Sequence, residues 1–421
     1  MTGVVIVGAG HSGIALAQAL RAQGSKMPIT IVSDEAELPY ERPPLSKEVL
    51  LGKTPIDDLR LRSENWYGSE DVDLRLSSTV ERIDPATRTV ILHGGETLSY
   101  HQLVLATGSR PRRLPVPGAN LDGVLNLATP ADSAQLRDRL ATSSNVVVIG
   151  AGFIGLEVAA AATLVGHRPV VIELADRVLA RVAGPVLSAY VEARHVERGV
   201  DVRLGAGVTE VRGRAGRVTG VVTTAGDVIP ADLVLVGVGS APADQLAADA
   251  GLECRDGVVV DETLRTSDAF ISAIGDCCRF PFGDQLVRLE SVQNAADQAR
   301  HLAARLSTVD VLWAPYRQVP WFWSTQADLK LQMVGVPDTR DDEVVRGSPD
   351  SGRFSVFRYS GDTLTCVESV NQKRDHMIGR QLLAAGISPT RTQAADQGGD
   401  LKALGAATQQ GARAHERDVT W

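Results

Sequence analysis

The sequence has no excess of positive charge. It contains 43 lysine and arginine residues against 51 aspartate and glutamate residues, which gives a formal net charge of −8. A protein that neutralises nucleic-acid phosphates needs a broad basic surface, so this balance argues against general nucleic-acid binding. An acidic partner would need a local basic patch.

Cysteine is scarce, and long apolar runs are absent. The four cysteines, Cys254, Cys277, Cys278 and Cys366, form no C-x-x-C pair, so we expect small core residues rather than a dithiol or zinc site. The longest run of small apolar residues, VAAAATLVG, is far too short to cross about 30 Å of hydrocarbon. The N-terminus shows no secretory signal pattern. We therefore expect a cytoplasmic protein without a membrane anchor.

Two glycine-rich turns each lie between an apolar strand and a helix. VVIVGAGHSG, residues 4–13, is followed by the strand PITIVS, and NVVVIGAGFIGLE, residues 145–157, is followed by RPVVIE. Each strand–turn–helix–strand order predicts a βαβ unit. In a G-x-G-x-x-G turn, the first glycine permits the bend, the second admits a pyrophosphate and the third lets the helix pack closely. The sequence thus predicts two dinucleotide sites, built on Gly8, Gly10 and Gly13 and on Gly150, Gly152 and Gly155.

An acidic residue follows the second strand of each unit. Asp34 and Glu173 occupy the positions where a carboxylate accepts hydrogen bonds from ribose hydroxyls. The competing interpretation, that Asp34 and Glu35 only solubilise a loop, is less well supported by this spacing. Glu173 also predicts NAD rather than NADP, because a carboxylate repels a 2′-phosphate, although Arg177 is close enough in sequence to qualify this.

Turn signals and periodicity divide the chain into three predicted domains and a tail. The apolar strand that opens residues 103–118 ends in glycine and a proline-rich crossover, which marks a boundary. A strand within 231–243 closes the second unit, and the strand within 269–277 makes the first domain discontinuous. From about residue 319, alternating segments and the helix-like HMIGRQLLAAG predict a small antiparallel sheet with a helix. We expect an α/β protein with Rossmann-like domains at 1–112 with 239–318 and at 113–238, an α+β domain at 319–388, and a tail at 389–421 without firm structure.

A series of motifs resembles the NADH-dependent ferredoxin reductases, and more closely the putidaredoxin reductase group. In chain order these are VVIVGAGHSG, YERPPLSK, LVLATGSRPRRLP, VVVIGAGFIGLE, ISAIGDC, RLESVQNAADQAR and PWFWSTQADLKLQMVG. The resemblance implies a glutathione reductase-like architecture with an FAD domain, an NADH domain and a C-terminal domain. It also implies hydride transfer from NADH to FAD and single-electron transfer to a two-iron two-sulfur ferredoxin, or a rubredoxin, that supplies a cytochrome monooxygenase or ring dioxygenase.

The resemblance implies a set of residues that touch FAD: Gly8, Gly10, Ser12, Gly13, Asp34, Arg42, Lys47, Val80, Asp276 and Val292. Asp276 follows a strand and a glycine, where a carboxylate can accept hydrogen bonds from ribityl hydroxyls, but it could also be a cap or turn residue. Lys47 follows a stiff segment with paired prolines, which could hold its ammonium beside the flavin. Without the resemblance, a solvated surface lysine would be the preferred interpretation.

Glu157, Lys47 and Trp323 are the residues that the resemblance places nearest the reaction. The sequence predicts Glu157 in the first turn of the second helix, where the helix dipole alone favours a carboxylate. The family pattern places this carboxylate near the nicotinamide, able to pair with Lys47. Strand alternation predicts Trp321 and Trp323 on one face and Phe322 on the other, and the resemblance makes Trp323 a wall of the flavin.

One departure and two rival functions bear on this interpretation. Ala128 stands where many of these reductases have an arginine, so FAD is either bound more weakly or held by Arg110 or Arg112. A disulfide reductase would need a redox cysteine in PYERPPLSK, which has none. A signalling flavoprotein of the apoptosis-inducing-factor type would favour a basic surface or a targeting segment, and neither is visible. For carrier docking, the resemblance favours Arg300 among the arginines near the aromatic cluster.

Overall fold

A computed structural model describes residues 3–307, 313–338 and 340–404 of the chain. The α-helices are α1 (His11–Ala22), α2 (Glu64–Ser69), α3 (Pro130–Leu140), α4 (Phe153–Leu164), α5 (Pro185–Glu197), α6 (Gln245–Asp249), α7 (Val292–Ser307), α8 (Lys373–Ala384) and α9 (Arg391–Ala395). The strands of the N-terminal half are β1 (Gly3–Val7), β2 (Ile29–Val32), β3 (Val72–Arg75), β4 (Val80–Asp84), β5 (Thr89–Leu92), β6 (Thr97–Leu105), β7 (Ser109–Pro111), β8 (Val124–Leu125), β9 (Val146–Ile149), β10 (Val170–Ile172), β11 (Asp201–Arg203) and β12 (Val208–Arg214). The remaining strands are β13 (Arg217–Thr223), β14 (Val228–Pro230), β15 (Leu233–Val236), β16 (Ser240–Pro242), β17 (Val258–Val259), β18 (Ile271–Ala273), β19 (Cys278–Phe282), β20 (Gln285–Val287), β21 (Trp321–Gln326), β22 (Leu329–Gly335), β23 (Asp342–Ser348), β24 (Arg353–Ser360) and β25 (Thr363–Val370).

The described residues fall into two units, each discontinuous in sequence. The first unit contains Gly52–Arg112, the described part of Ser240–Gln318 and the described residues up to Pro44. The second contains Leu45–Leu51, Arg113–Gly239 and the described residues from Val319 onward. The finer division into three domains stays a prediction.

The first unit is built on a mixed sheet with the order β3-β2-β1-β6-β5-β4, and β18 also pairs with β6. Strands β1, β2, β3, β6 and β18 run parallel, and β4, β5 and β6 pair antiparallel. Every residue of β1 is buried, as expected for a parallel strand covered on both faces. Helix α1 buries Ile14, Ala17 and Leu20 at helical spacing and packs against α7. The predicted first βαβ unit is confirmed.

The second unit repeats this plan and adds an antiparallel sheet. Its parallel sheet has the order β11-β10-β9-β15-β8, and β9 is buried along its whole length. An antiparallel sheet of β12, β13 and β14 follows. From residue 321 the chain forms a five-stranded antiparallel sheet, β21-β22-β25-β24-β23, with α8 packed on β25 and β22. The α/β fold with an additional antiparallel-sheet segment is therefore confirmed.

The tail differs from its prediction where the structure describes it. Helix α9 begins at a capping box, in which Thr390 and Gln393 each bind the other's backbone N–H. Ala394 and Leu401 are buried in the core under the C-terminal sheet. The expectation of no firm structure is thus wrong for this part, because the cap pattern was missed in a segment of weak periodicity. Residues 405–421 lie outside the described residues.

The part of the chain that the structure describes has free cysteines and neither a membrane-spanning helix nor a metal-binding cluster. Across residues 3–307, 313–338 and 340–404, no helix is long and apolar enough to cross a membrane. Within those same ranges, no cluster of three histidine, cysteine or acidic residues could hold a metal ion. The four cysteines are free, with Cys277, Cys278 and Cys366 buried and Cys254 half-buried, as expected of small core residues.

Candidate cofactor sites

The first glycine turn leaves room for a ligand at its middle glycine only. Gly8 has a φ of +110°, and a Cβ there would lie 2.2 Å from the Ala106 carbonyl oxygen. A Cβ on Gly13 would lie 2.1 Å from the Gly8 carbonyl oxygen, whereas a Cβ on Gly10 would meet nothing within 4 Å. Helix α1 begins directly after Gly10, so its unpaired N–H groups point into that open space. The turn fits a dinucleotide pyrophosphate.

Two neighbouring carboxylates after β2 have different partners. The half-exposed Asp34 carboxylate lies 3.3 Å from Arg110, and an exposed ion pair of this kind contributes little to stability. Glu35 instead accepts a 2.6 Å hydrogen bond from the Tyr40 hydroxyl and pairs with Arg42. Glu35 therefore organises the following segment, which the sequence did not reveal, while Asp34 retains acceptor capacity for a ribose.

Asp276 lies beside the first glycine turn within the same unit. Gly275 has a φ of +77°, and a Cβ there would lie 2.7 Å from the Ser12 hydroxyl oxygen. The Asp276 carboxylate accepts a 3.4 Å hydrogen bond from Ser109, and burial, followed by the nearby Glu290 charge, raises the pKa of Asp276 to about 6. It belongs to a short 3₁₀ turn rather than to the cap of α7. Val80 and Val292 are the first residues of β4 and α7.

The second glycine turn reproduces the geometry of the first. Gly150 has a φ of +102°, and a Cβ there would lie 2.3 Å from the Gly237 carbonyl oxygen. A Cβ on Gly155 would lie 2.1 Å from the Gly150 carbonyl oxygen, whereas a Cβ on Gly152 would meet nothing within 4 Å. Helix α4 begins directly after Gly152. This turn also fits a pyrophosphate at a helix N-terminus.

The Glu173 carboxylate is tied to the second turn. One of its oxygens accepts a 2.7 Å hydrogen bond from the Ala151 N–H, and the other accepts a 2.8 Å bond from the Ala175 N–H. A carboxylate oxygen has more than one acceptor position. Glu173 can therefore hold the turn and still accept a hydrogen bond from a ribose hydroxyl.

Arg177 is committed to its own loop. Its guanidinium donates to the Ala183 carbonyl at 2.6 Å, to the Ala180 carbonyl at 2.8 Å and to the Ser188 hydroxyl at 2.9 Å. These hydrogen bonds stabilise the conformation of the loop between β10 and α5. They use three of the five guanidinium N–H donors, so Arg177 is held in this loop by its Nη atoms.

The ammonium of Lys47 pairs with the carboxylate of Glu157 inside the second unit. Lys47 Nζ lies 2.6 Å from Glu157 Oε2, and the two side chains are only 15% and 6% exposed. Glu157 is the fifth residue of α4 and lies beyond its first turn. The prediction of a first-turn position is therefore wrong, because the helix begins at Phe153, two residues before Gly155. The solvated-lysine interpretation does not describe this partly buried, paired ammonium.

Two serines complete the environment of Glu157. The Ser46 hydroxyl donates to Glu157 Oε2 at 2.5 Å, and the Ser324 hydroxyl donates to Oε1 at 2.6 Å. Sequence reasoning singled out neither serine. Ser46 adjoins Lys47 in the proline-rich segment, and its neighbour Leu45 accepts a hydrogen bond from Ser133. Ser324 lies far along the chain, and a serine on a strand carries no signal of its own.

The aromatic strand β21 shows the predicted alternation. The rings of Trp321 and Trp323 have centroids 5.4 Å apart, and Phe322 packs on Phe153 of α4 with centroids 4.5 Å apart. Trp323 borders a cavity of about 1130 Å³ that Tyr190 also lines. The role of Trp323 as a flavin wall stays a prediction.

Ala128 contributes its backbone rather than a cation. Its N–H donates to the Asp132 carboxylate at 3.0 Å, within the capping box that starts α3 at Thr129. In the first unit, Arg110 faces Asp34, and Arg112 lies 3.6 Å from Asp256. The two proposed substitutes for the missing arginine thus have acidic neighbours, and their contact with FAD stays a prediction.

The chain is similar to a well-defined group of known proteins. The family model described as pyridine nucleotide-disulphide oxidoreductase matches residues 2–299, and the reductase C-terminal model matches residues 321–405. Rhodocoxin reductase of Rhodococcus erythropolis is 48% identical over 95% of this chain and 93% of its own. The ferredoxin reductase of the CYP199A2 system from Rhodopseudomonas palustris is 45% identical, with a TM-score of 0.93 over 96% of this chain and 99% of that structure. A covalent putidaredoxin reductase–putidaredoxin complex matches at 39% identity, with a TM-score of 0.92 over 96% of this chain and 98% of that one.

Proposed function

Since this chain belongs to the pyridine nucleotide-disulphide oxidoreductase family, and within it to the putidaredoxin reductase-like ferredoxin reductases, we propose that its electron acceptor is a two-iron two-sulfur ferredoxin of an oxygenase system. It is an NADH-dependent flavoprotein reductase that uses FAD. The chemistry that FAD would supply when bound is uptake of a hydride from NADH and release of single electrons, which connects a two-electron donor to a one-electron carrier.

The residues that would hold FAD in the first unit form a consistent set. Gly10 leaves open space before the N-terminus of α1 for the pyrophosphate. Asp34 offers a carboxylate to ribose hydroxyls, and Asp276, which adjoins Ser12 through Gly275, offers one to the ribityl chain. Arg42 contacts Glu35 and Tyr40 from the same segment. These assignments, like that of Lys47 toward FAD, stay predictions.

One observation supports the proposed NADH site most directly, the Lys47–Glu157 ion pair beside the second dinucleotide turn. A buried ion pair with additional hydrogen bonds is retained at a cost in desolvation, which suits a site that handles charge. With Gly152 open for the pyrophosphate and Glu173 free to accept a ribose hydroxyl, this unit would hold NADH with its nicotinamide toward Glu157. The Glu173 carboxylate at the second turn, which would repel a 2′-phosphate, supports NADH over NADPH.

Rubredoxin is the second candidate carrier, because a rubredoxin–NAD(+) reductase of Pseudomonas putida is 40% identical over 89% of this chain and 98% of its own. A signalling role of the apoptosis-inducing-factor type is not favoured, since the curated relatives are named as reductases. A disulfide reductase is disfavoured as well, because Cys277 and Cys278 are buried, free and adjacent. A cytoplasmic location stays a prediction.

The deciding experiment is steady-state reduction of purified carriers by the FAD-loaded protein. We expect NADH to support rapid reduction of a two-iron two-sulfur ferredoxin and NADPH to support it poorly. Faster reduction of a rubredoxin would replace the carrier assignment. Slow reduction of every carrier together with a long-lived NADH complex would contradict the proposed function.

A further inference from the structure

A continuous chain of buried side chains extends from Glu157 to helix α5. Ser324 donates to Glu157 Oε1 at 2.6 Å, Gln326 Nε2 donates to the Ser324 hydroxyl oxygen at 3.2 Å, and His195 Nε2 lies 2.8 Å from Gln326 Oε1. Relative exposure is 6% for Glu157, 1% for Ser324, and 0% for both Gln326 and His195. All four residues belong to the second unit. Glu157 therefore lies at the end of a water-excluded polar network.

The chemistry of these groups determines which one donates in each hydrogen bond of the network. The Glu157 carboxylate, paired with Lys47, can only accept, so the Ser324 O–H must donate to it. The serine oxygen is then free to accept from the Gln326 amide, which turns the amide carbonyl toward His195. His195 must donate through Nε2, so a neutral ring here is the Nε2–H tautomer. Its Nδ1 is buried with no hydrogen-bond partner among the described residues, and burial lowers the pKa of this imidazole.

This network contacts the Glu157 carboxylate on one oxygen and so helps to fix its orientation. Ser46 and Lys47 both approach Oε2, at 2.5 and 2.6 Å, whereas Ser324 approaches Oε1. A buried carboxylate is costly unless its oxygens are hydrogen-bonded. Removing the bond on Oε1 would leave the carboxylate held from one side, free to rotate about that contact. The orientation of Ser324 depends in turn on Gln326.

We propose that Gln326 and His195 are positioning residues for the NADH reaction, which act through Ser324 to hold the Glu157 carboxylate in one orientation. The inference rests on the proposed function, in which Glu157 faces the nicotinamide. His195 belongs to α5, the helix that follows the loop of Arg177. The network thus connects the helix after the ribose-binding strand to the carboxylate that would meet the nicotinamide. The alternative is that these side chains only satisfy one another in the core.

A double-mutant cycle distinguishes the positioning role from the core-packing alternative. Gln326→Leu removes both hydrogen bonds of the amide, so the Ser324 hydroxyl that donates to the Glu157 carboxylate loses its orienting partner. We therefore expect the limiting rate of flavin reduction by saturating NADH to fall roughly fivefold or more, since hydrogen bonds to charged groups are among the stronger ones. Glu157→Gln alone should also slow this step. The double variant should be no slower than Glu157→Gln, because interacting residues are not additive. Multiplied effects in the double variant would overturn the inference and support the core-packing alternative.

Ser355→Ala is the matched control. Ser355 is fully buried in the same antiparallel sheet and is hydrogen-bonded to Ser369 at 2.9 Å, outside the network. We expect it to leave the rate of flavin reduction unchanged. If Glu157→Gln alone left that rate unchanged, the proposed role of Glu157 would be wrong and the inference would fail with it. If Glu157→Gln slowed the step and Gln326→Leu did not, only the inference would fail.

A second measurement needs no turnover. In FAD-loaded protein with ¹⁵N-labelled histidine, the resonances of His195, assigned by comparison with His195→Asn, should show a neutral ring protonated at Nε2 and protected from exchange. Ser324→Ala should shift the Nε2 resonance, because it removes the acceptor of the next bond in the chain. A ring protonated at Nδ1, or a rapidly exchanging Nε2 proton, would contradict the hydrogen-bond direction on which the inference rests.

Discussion

At the scale of single residues, the carboxylate of Glu173 is the group that should set the nicotinamide preference. Glu173→Arg replaces an acceptor of ribose hydroxyls with a guanidinium that binds phosphate. We expect kcat/KM to fall about 10- to 100-fold for NADH, the size expected for a lost charge-assisted hydrogen bond, and to rise for NADPH. Steady-state kinetics with both nucleotides measure this. Because Glu173 also holds the Ala151 and Ala175 N–H groups, Glu173→Gln serves as the control that keeps one acceptor. An unchanged preference in Glu173→Arg would exclude Glu173 from the ribose site.

Asp276 gives a prediction for pH at the same scale. Burial raises the pKa of Asp276 to about 6, and only its ionised form offers both oxygens as acceptors to ribityl hydroxyls. Binding of FAD through those hydroxyls would then favour deprotonation, so the affinity for FAD should weaken as the pH falls below about 6, by at most about tenfold per pH unit. Release of FAD, followed by its fluorescence between pH 5 and pH 8, should show this trend in the wild type and lose it in Asp276→Asn. An identical pH profile for both proteins would rule out the assigned role.

At the scale of elements, two alanine substitutions in the second glycine turn should affect stability and NADH binding separately. Gly150→Ala forces a side chain onto a φ of +102° and against the Gly237 carbonyl, and should lower the free energy of unfolding by about 1–3 kcal/mol. Gly152→Ala has open space for its methyl group, so it should unfold at nearly the wild-type temperature. That methyl occupies the space where the pyrophosphate must approach, so the KM for NADH should rise by roughly tenfold or more. Thermal unfolding and steady-state kinetics on the two variants test this contrast. A normal KM in Gly152→Ala would place the pyrophosphate elsewhere.

At the scale of the whole molecule, the net charge of −8 would repel the proposed ferredoxin carrier if that carrier is itself acidic. Arg300 on α7 is 61% exposed and pairs with Asp297. If it steers the carrier, Arg300→Glu should lower the association rate about two- to fivefold at low salt and reduce the salt dependence, since such steering is screened over about 10 Å at 0.1 M ionic strength.

Carrier reduction followed over a range of salt concentrations measures the effect of Arg300→Glu. Arg212→Glu on β12 is the control, because Arg212 is 50% exposed and the net charge changes equally. Reduction of ferricyanide should stay intact in both variants. Equal slowing by both variants would assign the effect to net charge, and loss of ferricyanide reduction would indicate a damaged flavin site.

Local sequence patterns were sufficient for the two dinucleotide turns and for the alternation of β21. Gly8, Gly150 and the strands before them are encoded within about 30 residues, because turn chemistry and hydrophobic period depend on near neighbours. Resemblance to a family supplied the pairing of Lys47 with Glu157, and spacing alone would have left Lys47 on the surface.

The sequence by itself determined that this protein has two glycine turns of dinucleotide-binding type, each with an acidic residue after its second strand. Only the tertiary structure decided which further side chains join Lys47 around Glu157. Ser46 precedes Glu157 by 111 residues, and Ser324 follows it by 167. Contacts over such separations arise when packed elements bring buried polar groups together, and each group must then find a partner in the core. A local sequence pattern does not specify which distant residue that partner is.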